Sequence, residues 1–121
     1  MPYKIKIEGG RSRIEVRYFG HVDLRQSLQA ASHAVEILRQ GQADNRLLFD
    51  ITEIKSTLRP IEEFHFAEKL VATDELRDAR LAILQKPGGD ENRLLHITAT
   101  NRGLTLKEFT DRNEAIRWLH E

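Results

Sequence analysis

The sequence predicts a single α/β domain with a mixed sheet of five strands and four helices, in the order β-β-α-β-α-β-α-β-α. Apolar and charged residues alternate at the start of the chain, which is typical of half-buried strands. After residue 20, amphipathic stripes at steps of three and four alternate with short apolar runs. Such a succession requires parallel strands joined by right-handed crossovers. The 121 residues fit one domain, spanning 1–121.

The strands are predicted from two different patterns. Residues 3–8 and 14–18 alternate apolar and charged side chains on either side of a Gly-Gly turn, which indicates an antiparallel hairpin. The runs at 47–51 and 80–86 are continuously apolar, which is typical of strands covered on both faces. The last strand, near 104–109, is more polar and is expected at an edge of the sheet.

The first and last helices carry recognisable end signals. Asp23 is the predicted N-cap of the first helix, with Gln26 as its capping-box partner. Gly41 ends that helix, because Gly accepts the left-handed conformation found after helix ends. Asp111 and Glu114 are expected to form a second capping box at the start of the terminal helix.

The two middle helices are placed by Pro, Asp and Gly. Pro60 suits the first position of the second helix, where Glu62 and Glu63 complement its positive end. Asp90 is the predicted cap of the third helix, which ends near Gly103. The predicted buried stripe of the second helix leaves out Phe66, which would then cover a pocket, touch a partner or pack under a loop; the stripe comprises Ile61, Phe64, Ala67 and Val71.

Composition excludes several classes of function. With 0 Cys the chain has no disulfide framework and no thiolate metal site, and a reducing compartment suits it. Lys+Arg and Asp+Glu are both 19, so the basic excess typical of nucleic-acid binders is absent. There is no apolar run of about 20 residues and no signal peptide, so we expect a cytoplasmic protein without a membrane segment. No His spacing matches a metal site, and no cofactor is predicted.

Three stretches carry a resemblance to a known family. Ile14 to Asp23 reads as a strand that runs through Gly into a capped helix, Leu47 to Thr52 as a strand ending in Asp–apolar–Thr, and Glu108 to Glu121 as a strand and helix ending in Ala–apolar–x–Trp–Leu. In this order they resemble the STAS-like anti-sigma-factor antagonists and, more closely, the bacterial SpoIIAA-like family. The resemblance covers nearly the whole chain and implies that fold. Members of the family are also compared with the lipid-binding CRAL-TRIO (SEC14-like) domain.

The same resemblance bears on the polar stretch after the third strand. The antagonists carry Asp-Ser-Ser-Gly at the start of the second helix, and phosphorylation of one serine breaks the interaction with a partner kinase. In this chain Arg59 and Pro60 stand in that place, so the resemblance implies a module without the usual phosphoacceptor. Ser56 and Thr57 lie just upstream. They either satisfy backbone N–H groups near a helix start or accept a phosphate that the helix terminus and Arg59 would favour.

A second candidate site lies at the carboxyl ends of the strands, where open α/β sheets bind ligands. An enzyme would need His21 hydrogen-bonded to a nucleophile and held by a third group. The turn at 87–90 reads as a helix cap or an anion cradle, although it lacks the residues of a P-loop. The residues expected at this ligand edge are His21, Asp50, Thr52, Ser56, Gly88 and Thr110.

These features predict a non-enzymatic regulatory or protein-interaction module that acts through the surface from Thr52 to Phe66. The alternative is a carrier or sensor of a small apolar or lipid-like ligand, which would require an apolar pocket with a few polar groups. An enzyme of unknown reaction is the third reading and would require perturbed pKa values near His21. The expected partner is another protein, and a homodimer is compatible with the sequence.

Overall fold

A computed structural model describes residues 2–56, 58–88 and 93–121. It confirms the predicted α/β class, with five strands in one mixed sheet and four helices. The strands are β1 (Tyr3–Glu8), β2 (Arg13–Gly20), β3 (Arg46–Ile54), β4 (Arg80–Leu84) and β5 (Thr105–Phe109). The helices are α1 (Leu24–Arg39), α2 (Pro60–Val71), α3 (Arg93–Asn101) and α4 (Arg112–Leu119). A short 3₁₀ turn at Asp74–Leu76, which the sequence patterns did not predict, buries Leu76.

The strands lie side by side in sequence order, β1-β2-β3-β4-β5. β1 and β2 form the expected antiparallel hairpin, and every later pair is parallel. Because α1, α2 and α3 each join neighbouring strands in the same direction, right-handed crossovers place all three on one face of the sheet. The main core lies on that face, while α4 packs on the other face against β3 and β4.

The buried strand β3 separates the two layers. Its side chains alternate, so Leu47 and Phe49 enter the main core while Leu48 packs against α4. The residues from 47 to 49 are all at most 5% exposed, which confirms a strand covered on both faces. β5 forms the sheet edge opposite β1, as its more polar sequence predicted.

The helix ends largely follow the sequence signals. Asp23 and Gln26 form a complete capping box on α1, and Gly41, at φ +70°, ends that helix. The amides of Gly41 and Gln42 then bond back to the last turn of α1, which is the Schellman arrangement. Asp111 caps α4 by accepting bonds from two backbone amides. The predicted cap at Asp90 lies outside the described residues.

The predicted buried stripe of α2 is wrong. Ile61 is 55% exposed and Phe64 is only half-buried, whereas the buried positions are Glu63, Phe66, Ala67 and Leu70. The helix is therefore rotated so that one carboxylate enters the interior. Two apolar stripes of similar strength share this helix, and the tertiary packing selects the one that contains a Glu. No helix in the described part of the chain is long and apolar enough to cross a membrane.

Candidate functional site

An apolar pocket of about 190 Å³ lies between the sheet and the helices of the main core. Phe66 and Leu70 of α2 and Leu95 of α3 form its helical wall. The remaining apolar lining comes from four strands and from the segment after β3: Tyr18, Phe49, Ile51, Ile54, Leu58, Ile83 and Leu106. Phe66 thus borders a pocket, which is one of the three roles that the sequence left open for it.

Five polar residues also border this pocket. Tyr18 and Ser27 already bond within the protein, because the Tyr18 hydroxyl donates to the Ser27 carbonyl oxygen at 3.3 Å. Burial raises the pKa of Tyr18, so this phenol stays neutral and acts as a donor. Gln85, by contrast, has a buried Oε1 that no group of the described structure hydrogen-bonds. Lys55 and Lys86 are exposed and place two cations at the pocket mouth.

A second, more polar groove brings three of the predicted site residues together. His21, Ser56 and Arg59 all line it, at the junction of the loops that precede α1 and α2. Ser56 Oγ accepts a hydrogen bond from the backbone N–H of Val22 at 3.3 Å. Ser56 therefore satisfies a backbone donor near a helix start, but the helix is α1 rather than the α2 that follows it. Thr57 lies outside the described residues.

The charge of Arg59 is engaged within its own helix. Oε1 of Glu62 accepts from the Arg59 backbone N–H at 2.9 Å and from its Nε at 3.2 Å. These bonds hold the pKa of Glu62 below its ordinary value. Because Asp23 and Glu62 both line the groove, its charges are mixed rather than cationic. This arrangement gives a phosphate on Ser56 little support, and a role for Ser56 as phosphoacceptor stays a prediction.

Asp50 and Thr52 lie on the opposite face of the sheet from the pocket. Side chains alternate along β3, so these two share the α4 side with Leu48 while Phe49 and Ile51 line the pocket. They bond to each other, since Asp50 Oδ1 accepts from the Thr52 amide at 2.9 Å and from its hydroxyl at 2.7 Å. The expected ligand edge is therefore divided between the two faces of the sheet.

The last two predicted residues belong to neither cavity. Gly88 is exposed in a turn after β4, at φ +81°. Thr110 is exposed directly before the N-cap of α4. Neither borders the pocket or the polar groove. Both are accounted for by chain turns, and their assignment to a ligand edge has no support in the geometry.

Sequence patterns missed a set of polar side chains between α2, α3 and β5. Glu63 is only 6% exposed, and its Oε1 has no hydrogen-bond partner within the described structure. Burial and the nearby carboxylate of Glu108 raise the pKa of Glu63. His96 Nδ1 lies 3.3 Å from Glu108 Oε1 without the alignment of a hydrogen bond. Within residues 2–56, 58–88 and 93–121, no three His, Asp or Glu side chains are grouped to hold a metal ion.

Comparison with known proteins identifies the fold. No protein-family profile and no curated protein sequence matches the chain. A solved structure of an uncharacterised DUF3478-family protein from Shewanella loihica PV-4, with a SpoIIAA-like fold, matches with a TM-score of 0.64 at 19% identity. The match covers 97% of this chain and 91% of that one.

The unphosphorylated anti-sigma factor antagonist SpoIIAA matches with a TM-score of 0.65 at 12% identity. That match covers 98% of this chain and 97% of SpoIIAA. At these identities the comparisons establish architecture and not activity. They confirm the resemblance seen in the sequence, and the chain has a SpoIIAA-like fold.

Proposed function

We propose that this protein is a non-enzymatic regulatory module that carries or senses a small apolar ligand in the pocket beneath α2. The observation that carries the proposal is the pocket itself. Its volume of about 190 Å³ exceeds the roughly 150 Å³ of an engineered apolar cavity that binds benzene. Its lining is mostly apolar, with a few polar groups, which is the usual composition of small-molecule sites.

The position of the pocket also favours a ligand. It opens beside Lys55 and Lys86, which follow the carboxyl ends of β3 and β4. Ligands of open α/β sheets bind beyond these ends of the strands. A packing defect would instead be closed off among apolar side chains, without a polar mouth. The pocket thus has the sign by which the ligand-binding reading was to be distinguished from a plain interaction module.

The test is binding of a neutral apolar probe, octan-1-ol, measured by titration calorimetry. Wild-type protein is expected to bind it. Ile54→Phe, which adds volume at a half-buried position of the pocket wall, is expected to weaken binding at least tenfold. The matched control is Ile7→Phe on β1, which does not border the pocket and should bind as wild type does. Absence of binding, or equal binding by Ile54→Phe, would contradict the proposal.

A protein-interaction module is the second candidate. The fold of an anti-sigma factor antagonist and the exposed Ile61 at the start of α2 both support it. The surface would be the one expected from the sequence, Thr52 to Phe66. Ile61→Asp should then abolish any complex that the purified protein forms, including a homodimer, without lowering its stability. Light scattering after gel filtration measures this. With 0 Cys, the chain suits a cytoplasmic setting for either function.

A further inference from the structure

We infer that the pocket takes an anionic amphiphile, a small molecule with an apolar body and a carboxylate-like head, which Lys55 and Lys86 bind at the mouth. The inference rests on the proposed ligand-binding function and adds the charge of the ligand to it. Both lysines line the pocket, and the residues that line it with them include no Asp or Glu. The fixed charge around this pocket is therefore positive.

The two lysines are not committed to other groups. Neither takes part in a salt bridge or a side-chain hydrogen bond within the described structure, whereas Arg13, Arg17 and Arg59 each pair with a Glu. An ammonium beside an apolar cavity favours a ligand whose anion reaches the mouth while its carbon chain enters. The same arrangement disfavours a cationic ligand, because like charges would meet at the entrance.

Both lysines stand on anchored backbone at neighbouring strand ends. The Lys55 amide donates to the Gly20 carbonyl oxygen at 2.8 Å, which joins the end of β3 to the end of β2. The Gln85 amide, directly before Lys86, donates to the Phe109 carbonyl oxygen at 2.9 Å and joins β4 to β5. Because β3 and β4 are hydrogen-bonded neighbours, the two cations flank one entrance. Two ammonium groups at one mouth can share a single head group.

Gln85 adds a polar contact inside the entrance. Its buried Oε1 has no partner in the described structure, and an orphaned polar atom marks a place where a ligand or water atom is required. The Gln amide carries a donor as well as an acceptor, and its two ends are interchangeable by rotation. It can therefore donate to a carboxylate held between the lysines.

The volume limits the apolar body. A space of about 190 Å³, against roughly 150 Å³ for a cavity that holds benzene, accepts about six to eight carbons. A two-chain membrane lipid does not fit. A single-chain or aryl carboxylate of that size does, so the expected source is a soluble metabolite-like acid rather than a bilayer headgroup.

The experiment compares three probes with one carbon chain and different heads: octanoate, octan-1-ol and octylammonium, titrated at pH 7 and equal ionic strength. Octanoate is expected to bind at least tenfold more tightly than octan-1-ol, and octylammonium more weakly than both. Adding salt should weaken only the binding of octanoate. The double variant Lys55→Met, Lys86→Met keeps the apolar stems and should reduce octanoate affinity to that of octan-1-ol. Lys6→Met on the exposed face of β1 is the matched control and should change nothing.

The outcomes separate this inference from the proposed function. Equal affinity for octanoate and octan-1-ol would leave the pocket as a ligand site and overturn the anionic head. Undiminished octanoate preference in the double variant would also overturn it, since the lysines would not be the recognising groups. If none of the three probes binds, both the inference and the proposed function fail. Vesicles of anionic lipid serve as a further arm, and binding to them in preference to octanoate would contradict the soluble source.

Discussion

The hydroxyl of Ser56 and the backbone N–H of Val22 lie 3.3 Å apart and join two loops that are 34 residues distant in the sequence. One loop leads into α1 and the other into α2, so this bond fixes the relative position of two helix entrances. It also explains the hydroxyl without a regulatory role. The pocket and the polar groove both border Leu58 in the second of these loops, so the bond helps to shape both.

We expect Ser56→Ala to lower the free energy of unfolding by about 0.5–1.5 kcal/mol, the usual contribution of one hydrogen bond. Urea denaturation measures this. The control is Ser32→Ala at an exposed position of α1, where the change should be close to zero or slightly stabilising. Unchanged stability of Ser56→Ala would show that the bond to Val22 contributes nothing.

Glu62 and Glu63 are adjacent but are predicted to have opposite effects on the pH dependence of stability. Burial raises the pKa of Glu63 above its ordinary 4.5, so the folded state holds its proton more tightly than the unfolded state. Stability is then lost as pH rises from about 4.5 through the folded-state pKa. Glu63→Gln should therefore be more stable than wild type at pH 7 and equal to it below about pH 4.

Glu62 is predicted to behave in the reverse way. Hydrogen bonds from Arg59 lower its pKa, so its contribution is present above the unfolded-state pKa and is lost as pH falls through the lower folded-state value. Glu62→Gln should lose stability at pH 7 and converge with wild type in acid. Urea denaturation of both variants between pH 3.5 and about 7.5 checks the pair. Shifts of the same sign would contradict the assigned environments.

Two phenylalanines on α2 test the observed orientation of that helix. Phe66 is 7% exposed and Phe64 is half-buried, the reverse of the stripe that the sequence indicated. Phe66→Ala should cost about 3 kcal/mol, at the low end of the usual range because one side of the ring already faces the pocket. Phe64→Ala should cost clearly less. Chemical denaturation provides both values, and a larger loss for Phe64→Ala would mean that α2 is rotated the other way.

Arg46 and Arg80 are predicted to hold the C-terminal end of α4 on the sheet. Arg46 Nε donates to the Leu119 carbonyl oxygen at 3.0 Å, and Arg80 donates to the Trp118 carbonyl oxygen at 2.5 Å with its guanidinium 5.2 Å from the Trp118 ring centre. Each cation meets the negative end of the helix. Arg46→Met and Arg80→Met should each cost about 1–2 kcal/mol.

The matched control for these variants is Arg117→Met, since Arg117 is an exposed arginine in the last turn of the same helix. Its loss should stay below about 0.5 kcal/mol, as for other surface substitutions. Thermal unfolding followed by circular dichroism measures all three variants. Equal losses at the three positions would indicate a general charge effect rather than the specific bonds to the helix end.

Local sequence was sufficient for the strands, most helix ends and the fold class. A capping box, a Pro at the first helical turn and a positive-φ Gly act over a few residues, so Asp23, Pro60 and Gly41 could be assigned without knowing the fold. The parallel order followed from the alternation of strands and helices, and the edge position of β5 from its polarity. The resemblance to the SpoIIAA-like fold rested on the same succession.

The candidate site depended on tertiary structure. Which of two similar stripes α2 buries is decided by packing against the sheet and α3, and so the burial of Glu63 and Phe66 was missed. Asp50 and Thr52 follow the same strand as the pocket residues, but side-chain alternation places them on the other face. The pocket is a gap between four strands and two helices, and such a gap has no local signature. The sequence by itself determined the elements and their order, because these depend on short-range periodicity; the tertiary structure decided which side chains meet, because that depends on long-range packing.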